Sequence, residues 1–102
     1  MKTGEYYQQG DVLMKRVDGV KGKKVKHLVL AKGESTGHAH TVIEGDAVLY
    51  EHEGTLFLHV ESESAVIGHE EHGAVTIEKG DYEIRIVREF DHFAEEARNV
   101  QD

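Results

Sequence analysis

Apolar and polar residues alternate with a period of two along most of this chain, whereas the spacing of about 3.6 residues expected of an amphipathic helix is nearly absent before its C-terminal end. The clearest stretch is residues 82–89, where Tyr82, Ile84 and Ile86 alternate with Glu83, Arg85 and Val87. A strand with one face in the core and one in water reads this way. The same pattern predicts strands over residues 11–17, closed by Asp18-Gly19, and 25–30, which ends at Lys32-Gly33. A loop, Glu34-Ser35-Thr36-Gly37, leads into a strand over 38–44, and the dipeptide Gly45-Asp46 predicts a tight hairpin into 47–52. Glu53-Gly54 turns the chain into 55–61, where Leu56, Leu58 and Val60 alternate with Phe57, His59 and Glu61. Short strands over 65–68 and 74–77 flank His69-Glu70-Glu71-His72-Gly73, and Lys79-Gly80-Asp81 is a turn signal before 82–89. After Phe90 the pattern changes, and residues 91–98 read as a short helix N-capped by Asp91 or as a tail.

Eight short strands separated by turn signals define an all-β fold, a small barrel or two-sheet jelly roll with a short C-terminal helix or tail. At 102 residues the chain forms a single β-barrel or sandwich domain over 1–102, because two halves would each be too small for a core. It contains no proline, so its turns rely on eleven glycines and on Asp, Glu, Ser and Lys. The absence of cysteine excludes disulfides, thiolate metal sites and a Cys nucleophile. No apolar run is long enough to span a bilayer and Met1-Lys2-Thr3-Gly4-Glu5 opens no signal peptide, so no membrane association and a cytoplasmic location are expected.

A net charge of −8 argues against a general nucleic-acid binder, and no nucleic-acid partner is expected. The average conceals an asymmetry. Residues 1–32 carry a net +5 and residues 33–102 a net −13. The basic density peaks at Lys21, Lys23, Lys24 and Lys26. Such a run could grip phosphate, but lysines guarding an edge strand are the favoured explanation.

Against this background Gly37-His38-Ala39-His40, with Glu44 further on, carries the candidate chemistry. Side chains two apart on a strand share a face, so His38, His40, Val42 and Glu44 are expected on one side. Two imidazoles and a carboxylate suit a divalent metal ion such as Zn, Fe, Mn or Ni. His69-Glu70-Glu71-His72 supplies further ligands, and His72 and His69 rank above the others for completing the site. Their spacing is wrong for one face of a regular strand, so a single one binds unless a bulge or turn re-aims the other. His52 and His59 read as surface or packed histidines, and His27 and His92 belong to no cluster.

The order Gly33, His38, His40, Glu44 resembles the first motif of the cupin superfamily of small β-barrels, with its HxHxxxE core intact. The flanks depart from that motif: four residues separate Gly33 from His38 where the pattern has five, and Glu51 stands at the closing glycine. Over 78–83 the second cupin motif is matched at Gly80, with Glu78 in the proline position and Glu83 in that of the histidine ligand. The resemblance implies a cupin-like barrel with a metal in its mouth, held by His38, His40 and Glu44. The combination of GHAH and HEEH also resembles small bacterial and phage proteins without an assigned function.

The expected function is therefore binding of a divalent metal through histidines near a barrel mouth, together with a small-molecule ligand. Catalysis is undetermined, although Glu44, Glu70 or Glu71 would serve as a base and Tyr50 or Tyr82 as a hydrogen donor. Arg85 and Arg88 read as strand-exposed partners of Glu83 and Glu89 rather than as a carboxylate site. The competing expectation is a non-enzymatic assembly or interaction protein, phage- or plasmid-borne and without metal. Its barrel edges and opposed charges would favour homo-oligomers.

Overall fold

The computed structural model describes residues 5–32 and 38–86, and every regular element among them is a β-strand. In chain order these are β1 (Tyr6–Gln9), β2 (Val12–Val17), β3 (Lys23–Val25), β4 (Val29–Lys32), β5 (Ala39–Glu44), β6 (Ala47–His52), β7 (Thr55–Gly68) and β8 (Val75–Ile86). All pairings are antiparallel, and the sheet curls into a half-barrel. No helix among the described residues is long and apolar enough to cross a membrane.

The backbone of the fold is a bent ribbon. The long strand β7 pairs with β8 along one edge, from Leu56↔Ile84 to Ile67↔Val75. Along its other edge β6 pairs with the first half of β7, from His52↔Thr55 to Ala47↔Val60, and β5 pairs with the second half, from Glu44↔Val66 to Thr41↔Gly68. Strands β5 and β6 thus lie end to end against β7 and do not pair with each other. The hairpin expected at Gly45-Asp46 is a corner instead, and the hairpin turn lies at Glu53-Gly54. The pairing of β7 with β8 loses register between Val60 and Ser64, at the level of that corner. There Glu61 and Ser62 donate their amides to the Asp46 carbonyl at 2.8 and 3.4 Å, and the Asp46 amide donates to Ser62 Oγ at 2.9 Å. Bulges of this kind sharpen the twist that closes a sheet.

The remaining strands extend the two halves. Strands β2 and β1 continue the sheet beyond the second half of β8, β3 pairs with β6, and β4 pairs with β5. Strand β3 forms an edge with Lys23 and Lys24 exposed, the arrangement expected of lysines that block edge-to-edge pairing.

Alternation places Val12, Met14, Leu49, Leu58, Val60, Ile67, Ile77 and Tyr82 on the inner face, all fully buried. Tyr82 is held at its polar tip, donating its hydroxyl to the Glu78 carbonyl at 2.6 Å and accepting from Arg16 Nη1 at 3.2 Å. Burial raises its phenol pKa above the usual range, so it stays a neutral donor.

Several expected boundaries differ from those observed. Strand β1 was not marked by alternation, because Tyr6-Tyr7-Gln8-Gln9 sets aromatics beside amides. The strand expected over 25–30 is two pieces, β3 and β4, separated where His27 Nδ1 accepts the Val29 amide at 3.2 Å. Residues 55–61 and 65–68 form one strand, as do 74–77 and 82–89 as far as Ile86, so Lys79-Gly80-Asp81 is a bend within β8 rather than a turn. The loop over 33–37, the stretch over 91–98 and His92 lie outside the described residues.

Candidate metal centre

The register that pairs Thr41 with Gly68 brings the start of β5 to the end of β7, so His38 and His40 meet the turn that carries His69-Glu70-Glu71-His72. The β1–β2 turn, Gly10-Asp11, closes the third side. Gly10 has φ of +58°, and a Cβ built on it would lie 2.5 Å from His72 Nε2, so the turn runs flush against that imidazole.

Four imidazoles gather there. The His40 ring centroid lies 4.3 Å from that of His69 and 5.9 Å from that of His72, nearly parallel to the latter at 18°. His69 is 4.6 Å from His72 and 5.5 Å from His38. One ligand atom each from His38, His69 and Glu70 lie within 4.8 Å of one another. The turn re-aims His69 and His72 together, which a regular strand would not do.

The carboxylate expected from β5 is not among them. Val42 pairs with Ile67 and Glu44 with Val66, so a bulge at Ile43 inserts one residue and turns Glu44 to the face opposite His40 and Val42. Glu44 is solvent-exposed there. Glu83 is equally remote, opposite Phe57 in the other half of the ribbon and 3.4 Å from Arg85 Nε. The carboxylates at the imidazoles are Glu70, Glu71 and Asp11. Glu70 Oε1 accepts the Ala39 amide at 3.0 Å, and that hydrogen bond is the main reason its carboxyl is held below the ordinary glutamate value. Glu71 Oε1 lies 3.2 Å from His38 Nδ1, and Asp11 Oδ1 lies 3.5 Å from His40 Nε2.

Protons on two of the rings are fixed by their neighbours. His69 Nδ1 accepts the amides of Glu71 at 2.9 Å and His72 at 3.3 Å, which leaves the proton of the neutral ring on Nε2. His40 is 4% exposed, and its Nδ1 lies 2.8 Å from Oε1 of Gln9, itself 3% exposed. Burial, followed by the neighbouring His69, pushes the His40 pKa below 6.5, and the nearby Asp11 only partly opposes this.

A folded-state pKa below the unfolded value means that the unfolded chain binds more protons once pH drops through 6.5. The stability contributed by neutral His40 is therefore complete above pH 6.5 and declines as pH falls below it towards the folded-state value. In chelator-treated protein, the urea midpoint of the parent should fall more steeply between pH 7 and pH 5 than that of His40→Phe. Parallel curves would refute this.

The other histidines stand apart. His59 Nδ1 pairs with Asp81 Oδ1 at 2.6 Å and His52 Nε2 with Glu53 Oε2 at 3.1 Å, both outside the cluster. Beside the cluster a shallow, mostly apolar groove of about 380 Å³ runs from Thr41 and Ile43 to His69 and Glu70. Gln9 lies on a strand that alternation does not mark, and Asp11, expected to open the strand over 11–17, lies instead in the turn before β2, beside the cluster.

Fold and cluster together define a class: a curled antiparallel β domain with one end lined by imidazoles and carboxylates. Within that class the chain belongs to the family described as Domain of unknown function (DUF8820), whose model matches residues 8–87. No curated protein and no solved structure matches it.

Proposed function

We propose that this protein binds a divalent metal ion in the imidazole cluster at the end of the half-barrel. The reading rests on the approach of His38, His69 and Glu70 ligand atoms to within 4.8 Å of one another, with His40, His72 and Asp11 around them. Donors about 2.0–2.2 Å from one ion must lie within such a span, and a nitrogen-rich set with carboxylate oxygen suits Zn, Fe, Mn or Ni. His69 has one further consequence. Its Nδ1 is occupied by two amides, so uptake of an ion at either ring nitrogen requires those contacts to change. A small ligand joined to the ion would extend along the groove towards Thr41 and Ile43.

Metal analysis of untagged protein tests the reading. Stoichiometric metal is expected in the parent and little in His38→Ala/His69→Ala, and zinc added to the apo form should shift the Glu71 and His72 amide resonances. Metal absent from the parent even after zinc addition would sink the proposal. The competing reading, a metal-free assembly protein, draws on β1, β3 and β4, each paired on one side only among the described residues. The same measurement decides between them.

A further inference from the structure

The environment of His40 defines more than one neighbour. Gln9 Nε2 donates to the carbonyls of Ile67 and Gly73, each at 2.9 Å, so both of its amide protons are committed. Its Oε1 must therefore be the acceptor in the 2.8 Å contact with His40, which places the ring proton on Nδ1. The opposite nitrogen, Nε2, is left with a lone pair in the neutral ring. Asp11 Oδ1 lies 3.5 Å from that nitrogen.

Two acceptors this close repel unless a positive charge lies between them. A metal ion between them supplies that charge. Donors about 2.0–2.2 Å from a tetrahedral ion stand roughly 3.4 Å apart, close to the separation observed. A ligating histidine whose other nitrogen donates to a fixed oxygen is the usual outer-shell arrangement around such ions.

We propose that His40 Nε2 and the Asp11 carboxylate, 3.5 Å apart beside the His38, His69 and Glu70 donors, close in to join the ligands of the ion when it binds, and that Gln9 is the positioning residue that holds His40 in its ligating tautomer. This rests on the metal-binding reading above and extends it to Gln9 of β1 and Asp11 of the β1–β2 turn, which the sequence pattern did not connect with His40. Gln9 ties together β1, the end of β7 and the turn before β8, so it sets the position of the His40 ring as well as its proton.

Two measurements test the assignment. In apo protein near pH 8, nitrogen–proton correlation spectra should place the His40 proton on Nδ1, and in Gln9→Leu it should move towards Nε2, the form solvated imidazoles favour. In zinc competition titrations, Gln9→Leu and Asp11→Asn should each weaken binding by about 10–100-fold. Asp11 is exposed, so Asp11→Asn keeps the test available even if Gln9→Leu does not fold. A parent His40 protonated on Nε2, or zinc affinity indifferent to Asp11→Asn, overturns the assignment while leaving the metal reading intact. No zinc uptake by the parent sinks the metal reading and the ligand roles together, whereas the tautomer measurement still decides the role of Gln9.

Discussion

Leu58→Ala is expected to destabilise the protein by about 2–5 kcal/mol, the range for emptying a well-packed leucine site. Leu58 is fully buried at the centre of the ribbon, with Leu49 of β6 on one side and Tyr82 of β8 on the other. Neither neighbour collapses easily into the space. Leu49 and Tyr82 are held by their own ladders, and the Tyr82 hydroxyl is anchored to Glu78 and approached by Arg16. Against a total stability of about 5–15 kcal/mol for a domain of this size, the loss is large. At about 4–8 °C per kcal/mol it should lower the melting temperature by roughly 8 °C or more. Ile43→Ala is the comparison, because Ile43 is 58% exposed and should lose far less. Equal melting temperatures for the two variants would contradict this account of the core.

The corner gives the second large effect. Gly45 has φ of +96°, and a Cβ placed on it would lie 2.5 Å from the Ser64 carbonyl oxygen and 2.8 Å from Ala65 Cα. Both are backbone atoms of β7, so no side chain can swing aside. Gly45→Ala combines backbone strain of about 1–3 kcal/mol with displacement of β7 from the corner. Gly54→Ala separates the two contributions, since Gly54 has φ of +81° but nothing within 4 Å of its would-be Cβ. Urea unfolding should show Gly45→Ala to be clearly the more damaging, and equal midpoints would mean that the close approach carries no cost.

These two positions also show what was legible in the sequence. Alternation at Leu56, Leu58, Val60 and again at Tyr82, Ile84 revealed the strands and the inner face, because burial on one side of a sheet enforces period two. It did not reveal which strands meet. Gly45-Asp46 carries the same local signal whether it ends a hairpin or turns a corner, and only the shared partner β7 distinguishes the two. At the candidate site, the spacing of His38 and His40 and the grouping of His69 with His72 pointed to one end of the molecule. Glu44 was misplaced because a bulge at Ile43 leaves no local mark, yet it inverts every side chain after it. Gln9 was invisible for another reason: its three hydrogen bonds reach residues far away in sequence, and nothing in Tyr6-Tyr7-Gln8-Gln9 announces them.

That distance bears on how the cluster comes into being. The hydrogen bonds of Gln9 to Ile67 and Gly73 span 58 and 64 positions of chain, among the costliest kind of contact to close. The chain from His38 to the end of β8 carries all four clustered histidines, but the amide that orders His40 comes from the first strand. A nascent or truncated chain can therefore display the imidazoles before it can present them correctly, and a competent cluster reports that the two ends of the sheet have met.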